Sequence, residues 1–278
     1  MLKITGIGAF WRRAALCALC LSCLCLICAC GGRRTTAIIV AGSTSVQPYA
    51  EVLAEEYALL YAGYNIDIHG GGSAAGITAA ASGAADIGMS SRALNEDEQY
   101  LWSVEIAKDG LALIINPQNP VLGLSQEQLR AVYAGTLVNW QDLGGPDAKI
   151  HVIAREEGSG TRAALEDLVM GTTSITPKAL VQASNGAVKQ LVASDPHAIG
   201  FISLGLVDAT VKALSLDGVA ATWDHIIDGS YFLFRPFIFV TSSQPAGQTK
   251  QFVDFVMSDA GQQILKNEGL IPVQEGVR

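Results

Sequence analysis

Residues 149–170 read KIHVIAREEGSGTRAALEDLVM, and the local pattern changes twice within them. Lys149 to Ala154 is a short run rich in β-branched residues, as expected for a strand entering a turn. Ala163 to Met170 then sets Leu165, Leu168 and Val169 on one helical face. Between strand and helix lie the Arg155 guanidinium, the glycines Gly158 and Gly160, and the hydroxyls of Ser159 and Thr161. A helix N-terminus carries free N–H groups and partial positive charge, so this turn suits a bound oxyanion. It also suits an ordinary Ser-capped helix with a solvated arginine. Recurrence elsewhere in the chain separates the two readings.

Ala37 to Ala41 (AIIVA) reads as a buried strand, followed by Gly42-Ser43-Thr44-Ser45 and by a helix with Pro48 in its first turn. Leu53, Tyr57 and Leu60 give that helix its apolar stripe. Asn65 to His69 forms a further strand, then a Gly/Ser turn at 70–76 and a helix to Ser82. Gly70-x-Gly72-x-x-Ala75 loosely matches a dinucleotide fingerprint, but a helix-capping Gly/Ser turn explains the same residues. Asp86 to Arg92 (DIGMSSR) is a strand-like run ending in hydroxyls and a charge. Gly110 to Asn116 is a continuous apolar strand closed by Pro117 and Pro120, where the chain is expected to cross into a second lobe. Ser125 and Gln128 form a capping box for a helix carrying Leu129, Val132 and Tyr133. A helix starting at Ser184-Asn185, a strand at 198–203, and the aromatic run Tyr231 to Thr241 follow. Pro236 fits an edge or crossing strand that returns the chain to the first lobe. Gln248 to Asn267 reads as one or two helices. Strands and helices alternate throughout, so the expectation is an α/β fold with mostly parallel sheets. Two crossings imply two lobes: 37–115 with 236–278, and 116–235, with a ligand cleft between them.

Composition narrows the function classes. The first 29 residues contain Lys3, Arg12 and Arg13, no acid, and an apolar run at 14–29 that is short for a bilayer span, so a secretory signal is expected. An uncleaved anchor is the alternative. All six cysteines lie at positions 17, 20, 23, 25, 28 and 30. Ile27-Cys28-Ala29-Cys30-Gly31 resembles a bacterial lipoprotein processing site, with Cys30 lipidated and 30–36 a tether. Cleavage there leaves 249 of 278 residues and 15 of the 18 Lys+Arg against 26 Asp+Glu, a net charge of −11. That balance disfavours nucleic acid and anionic membrane as partners, while leaving a small anion open. The four histidines (69, 151, 197, 225) show no metal-ligand spacing, and no cofactor or metal is expected.

Four patches together carry a family resemblance: Ala41-Gly42-Ser43-Thr44-Ser45-Val46-x-Pro48; Gly72-Ser73-Ala74-Ala75-Gly76-Ile77 with Asp86 to Arg92; Arg155-x-x-Gly158-Ser159-Gly160-Thr161; and Gly269-Leu270-Ile271-Pro272-Val273. In this order and spacing, from about Ala37 to Val273, the chain resembles the phosphate-binding solute receptors of bacterial ABC transporters. The resemblance implies a two-lobed periplasmic-binding-protein fold of type II. It implies phosphate contacts from Thr44, Ser45, Ser73, Ser90, Ser91, Arg155, Ser159, Gly160 and Thr161. Glu157 would fix the arginine, and Arg92 would stand behind the site. It further implies membrane permease subunits as partners, a monomer, and a place outside the cytoplasm, tethered to the membrane by lipidated Cys30. Family members that carry aspartate at the position of Ser91 use it to accept the proton that phosphate keeps and sulfate lacks. A serine both donates and accepts, so sulfate, arsenate, molybdate and tungstate stay in view as ligands. Two other classes compete. An exported phosphate-ester hydrolase using Ser159 lacks the G-x-S-x-G elbow, since position 157 is Glu, and has no histidine nearby in sequence. A surface adhesin or sensor could reuse the fold.

Overall fold

A computed structural model of the protein describes residues 37–61 and 64–273. The signal, the tether and Cys30 lie outside the described residues. In chain order the strands are β1 (Ala37–Gly42), β2 (Asn65–Gly70), β3 (Ile87–Ser90), β4 (Trp102–Ile115), β5 (Gly123–Leu124), β6 (His151–Arg155), β7 (Leu180–Gln182), β8 (Ala198–Ser203), β9 (Lys212–Ala213), β10 (Ser215–Leu216), β11 (Phe234–Thr241) and β12 (Ile271–Pro272). The α-helices are α1 (Gln47–Leu60), α2 (Ser73–Ser82), α3 (Gln126–Ala134), α4 (Gly160–Leu165), α5 (Asn185–Ser194), α6 (Trp223–Ile227), α7 (Gly247–Met257) and α8 (Asp259–Asn267).

The main sheet runs β2-β1-β3-β11-β4-β8-β6-β7, with β12 and β9 attached to β4. The outer pairs are parallel, as the alternating pattern predicts: β1 with β2 and β3, and β6 with β7 and β8. The centre is antiparallel, because β4 carries the chain out and β11 carries it back. The sheet is therefore mixed rather than mostly parallel. β4 is also longer than its apolar end. Residues 102–110 pair with β11, and 111–115 pair with β8. Pro236 lies in the part of β11 that pairs with β4 but not with β3, so its missing N–H removes no bond from a doubly paired ladder.

Each end of the sheet has its own core. Val40, Leu53, Tyr57, Phe237, Phe239, Phe252 and Leu265 pack β1, β3 and β11 against α1, α7 and α8. Leu113, Tyr133, Trp140, Leu165, Phe201 and Leu233 build the other. Each fully buried large side chain here contributes about 1.5–3 kcal/mol of apolar burial. Leu60, expected to face inward, is 63% exposed, and Tyr49 and Ala50 fill the inner face of α1 instead. The helix after β6 has a single α-turn and then widens to a π-helix at Glu166–Met170, which still buries Val169 and Met170.

The site depends on one close backbone approach. Gly42 has φ +139°, and a Cβ on Gly76 would stand 2.6 Å from the Ala41 carbonyl oxygen and from the Gly42 Cα. Only glycine at both positions allows α2 to rest directly on β1 and β3, which brings Ser73 at its N-terminus beside Ser91 at the end of β3.

Candidate functional site

The C-terminal ends of β1, β3 and β6 and the N-terminus of α2 converge on a buried cluster of hydroxyls and guanidinium groups. Ser43, Ser45, Ser73, Ser91, Arg155, Ser159 and Thr161 are each no more than 2% exposed. On the β1/β3 side, the Ser43 Oγ donates to Ser91 Oγ at 2.9 Å. Ser91 Oγ and Ser73 Oγ lie 3.2 Å apart, and the Ser91 N–H donates to Ser73 Oγ at 3.1 Å. From the other side, Thr161 Oγ1 lies 2.9 Å from Ser45 Oγ, and the Arg155 Nη2 donates to Thr44 Oγ1 at 3.2 Å. The Ala74 N–H donates to the Gly158 carbonyl at 3.1 Å, so the two sides meet backbone to backbone. Gly160 lies so close to Ser73 and Ser91 that a Cβ would strike both hydroxyls. Ser159 caps α4, its Oγ accepting from the N–H groups of Thr161 and Arg162 at 3.2 and 3.3 Å.

Arg155 is held by a carboxylate, but not by Glu157. Its Nε and Nη2 donate to Glu156 at 2.9 and 2.8 Å, while Glu157 is exposed. Strand alternation would place residue 157 on the arginine's face, but β6 ends at Arg155, so the alternation no longer applies. The adjacent residue then folds alongside. Nε and Nη2 also donate to the carbonyls of Gln182 and Ala183 at 3.1 and 3.3 Å. Every polar edge of the guanidinium is thus engaged, and its end faces Thr44 and Thr161.

The structure does not bring Ser90 and Arg92 into this cluster. The pleat turns Ser90 away from its neighbour Ser91, and its Oγ closes a local turn, donating to the Arg92 carbonyl at 2.9 Å and accepting from the Arg92 N–H. Arg92 forms a two-pronged pair with Glu98, both contacts at 2.7 Å. The hydroxyl bonds explain no hydrolase either. His151 pairs with Asp195 at 2.6 Å and His225 Nδ1 lies against the Ala220 carbonyl, so neither engages Ser159.

Four polar groups at the cluster were not among the site residues expected from the sequence. Asn185 Nδ2 donates to Ser45 Oγ at 2.8 Å, and Arg235 Nη2 donates to the same oxygen at 3.0 Å. Arg235 is itself held by Asp109, whose other oxygen accepts from Ser203 Oγ at 2.7 Å. The available sign was a lone charge in an apolar run, Arg235 within YFLFRPFIFVT and Asp109 before GLALII. Burial pushes the Asp109 carboxyl up and the Arg235 guanidinium down from their ordinary values, and their mutual attraction opposes both shifts. A separate surface cavity of about 410 Å³ is lined by Val132, Leu137, Ile150, Val152 and Leu180 among others. Lys149, His151, Thr176 and Lys178 complete its polar rim, and it shares no residue with the cluster.

Comparison with known proteins is consistent along nearly the whole chain. The model of the PBP superfamily domain matches residues 31–260. The chain is 30% identical to the phosphate-binding protein PstS of Bacillus subtilis (strain 168), over 86% of this chain and 81% of that one. It is 28% identical to PstS of Borreliella burgdorferi, covering 85% and 90%. Among solved structures, a putative phosphate ABC transporter substrate-binding protein with bound phosphate from Clostridium perfringens superposes with a TM-score of 0.83 at 40% identity, covering 86% of this chain and all of that one. An ABC-type phosphate transport receptor from Vibrio cholerae gives a TM-score of 0.71, also at 40% identity, covering 85% and 100%. The fold is the two-lobed α/β fold of these receptors. The chain belongs to the PBP superfamily and, within it, to the PstS family.

Proposed function

We propose that the protein is a receptor that binds inorganic phosphate in the hydroxyl–guanidinium cluster and delivers it to an ABC permease. The observation that carries this reading is the buried contact of Arg155 and Thr161 with Thr44 and Ser45. The Nη end of Arg155, now on Thr44 and Thr161, can exchange those hydroxyls for oxyanion oxygens. Serine and threonine hydroxyls that now bond one another can turn their protons to an ion placed among them. A receptor of micromolar affinity needs about −8 kcal/mol net, which about ten hydrogen bonds, several charge-assisted, supply after desolvation. The relatives are transport receptors rather than enzymes, and the reading involves no chemistry on the ligand.

The ligand set follows the same residues: Thr44, Ser45, Ser73, Ser91, Arg155, Ser159, Gly160 and Thr161. The lobe division at 37–115 with 236–278, and 116–235, is supported by the exchange of β4 from β11 to β8. The receptor works outside the cytoplasm. Among the described residues no helix is long and apolar enough to cross a membrane. Attachment through lipidated Cys30, a monomeric state and docking on permease subunits complete the proposal.

Phosphate is the first choice, but position 91 carries a serine and no carboxylate to repel a fully deprotonated ion. A thermal-shift panel of phosphate, sulfate, arsenate, molybdate and tungstate on ligand-stripped protein tests both points, because a ligand bound only by the folded state raises stability with its concentration. Phosphate is expected to raise the melting temperature most. A larger shift with sulfate or molybdate would reassign the receptor, and no shift with any of them would end the receptor reading.

A further inference from the structure

Arg235 and Asp109 face each other across β11 and β4, one residue pair before β4 leaves β11. The pair is almost completely withdrawn from water, Arg235 being 3% and Asp109 0% exposed. A buried ion pair is weak evidence of stability by itself, since an apolar pair of similar volume often serves the fold as well. The arrangement of its donors points instead toward the oxyanion cluster.

The Nε and Nη2 edge of the guanidinium holds one oxygen of Asp109 at 3.1 and 3.0 Å. Nη2 spends a further hydrogen on Ser45 Oγ. Nη1, next to it on the same end of the fork, is buried and finds no hydrogen-bond partner among the described residues. A buried donor left unmet is rare and calls for a partner. Asn185 also donates to Ser45 Oγ, and the Ser203 N–H donates to Asn185 Oδ1, which fixes the amide with its NH₂ toward Ser45. A hydroxyl has two lone pairs and one proton. With both lone pairs of Ser45 filled by groups that only donate, its proton must point outward, here to Thr161 Oγ1 at 2.9 Å.

We propose that Arg235, anchored by Asp109, is a positioning residue of the oxyanion site: it locks Ser45 as a pure donor and offers Nη1 to the same ligand oxygen. Ser45 then cannot accept the proton of a hydrogen phosphate, which must be received on the Ser43–Ser91–Ser73 side. The charge of Arg155 also helps to push the Arg235 guanidinium down, after burial itself, so the two guanidinium groups sense each other across the cluster. This inference rests on the receptor reading.

The test is calorimetric titration of phosphate into the ligand-stripped protein, its Arg235→Met/Asp109→Asn double variant, the Ser45→Ala variant and the triple combination. Removing both charges avoids stranding one in the interior, and melting curves check that each variant folds. Wild-type protein that takes up no oxyanion would sink the receptor reading and this inference together. If the wild type binds, a folded double variant is expected to lose about 10–100-fold in affinity, the range for hydrogen bonds to a charged group. Because Arg235 and Ser45 act on one oxygen, the loss should shrink severalfold in the Ser45→Ala background. An affinity within about twofold of wild type for the folded double variant overturns the proposal. So does the same fold-loss in both backgrounds, as expected of a purely structural pair. Should the double variant fail to fold, Arg235→Lys takes its place in the same cycle with the same two criteria.

Discussion

Arg155 is 1% exposed, and a guanidinium so far from water must have its donors met. Glu156 meets two of them, and the Gln182 and Ala183 carbonyls share the same edge. The family resemblance implied Glu157, two residues on, as the acid that fixes the arginine. The pairing with Glu156 depends on where β6 stops, which no single residue announces. Stability separates the two acids. Glu156→Ala is expected to lower the free energy of unfolding by about 1–3 kcal/mol, because it leaves a buried charge short of partners. Glu157→Ala should change it by less than about 0.5 kcal/mol. Urea denaturation of both variants checks this, and equal effects would return the role to Glu157. Ser45, Ser73 and Thr161 were legible as candidates from their Gly-rich turns, and Ser91 from the family resemblance. Asn185 and Arg235 were not, since they reach Ser45 from 140 and 190 residues away in sequence.

The strand–turn–helix units were the most legible part of the fold, because each is decided within about twenty residues. β1, β2, β6 and β8 and the helices capped by Ser125 and Ser184 lie where the residue pattern puts them. β4 was not read in full, because its first half, WSVEIAKD, mixes charges with apolar residues and is ordered by pairing with β11. The turn after β3 holds another ordering device, the Arg92–Glu98 pair, whose side chains are 15% and 19% exposed. The hydrogen bonds from Arg92 hold the Glu98 carboxyl below its ordinary value of 4.5, against the effect of burial. A depressed carboxyl contributes stability that is present above the ordinary value and lost as pH falls through the folded one. Glu98→Gln should therefore lower the melting temperature at pH 7 by about 2–4 °C, corresponding to about 1 kcal/mol, with the gap to wild type closing in acid below pH 4.5. Melting curves across that range decide it, and a gap that persists unchanged in acid would contradict the pair's role. Phosphate affinity should not change, since the Arg92 and Glu98 side chains bond each other and their own turn rather than any cluster side chain.

The molecule joins these units by two strands that run in opposite directions through its centre, and the cluster lies where the ends of the sheet face each other. Thr44, Ser45, Ser73 and Ser91 come from one side, and Arg155 and Thr161 from the other, so the proposed recognition draws on both. The account is tested most directly by calorimetric titration of phosphate into ligand-stripped wild-type protein and its Arg155→Ala variant, with melting curves to confirm that both fold. One phosphate per chain at micromolar affinity or tighter for the wild type, and no measurable binding by a folded Arg155→Ala, is the expected result. Unchanged affinity in the variant, or no binding by the wild type, would contradict the assignment of this cluster as the phosphate site.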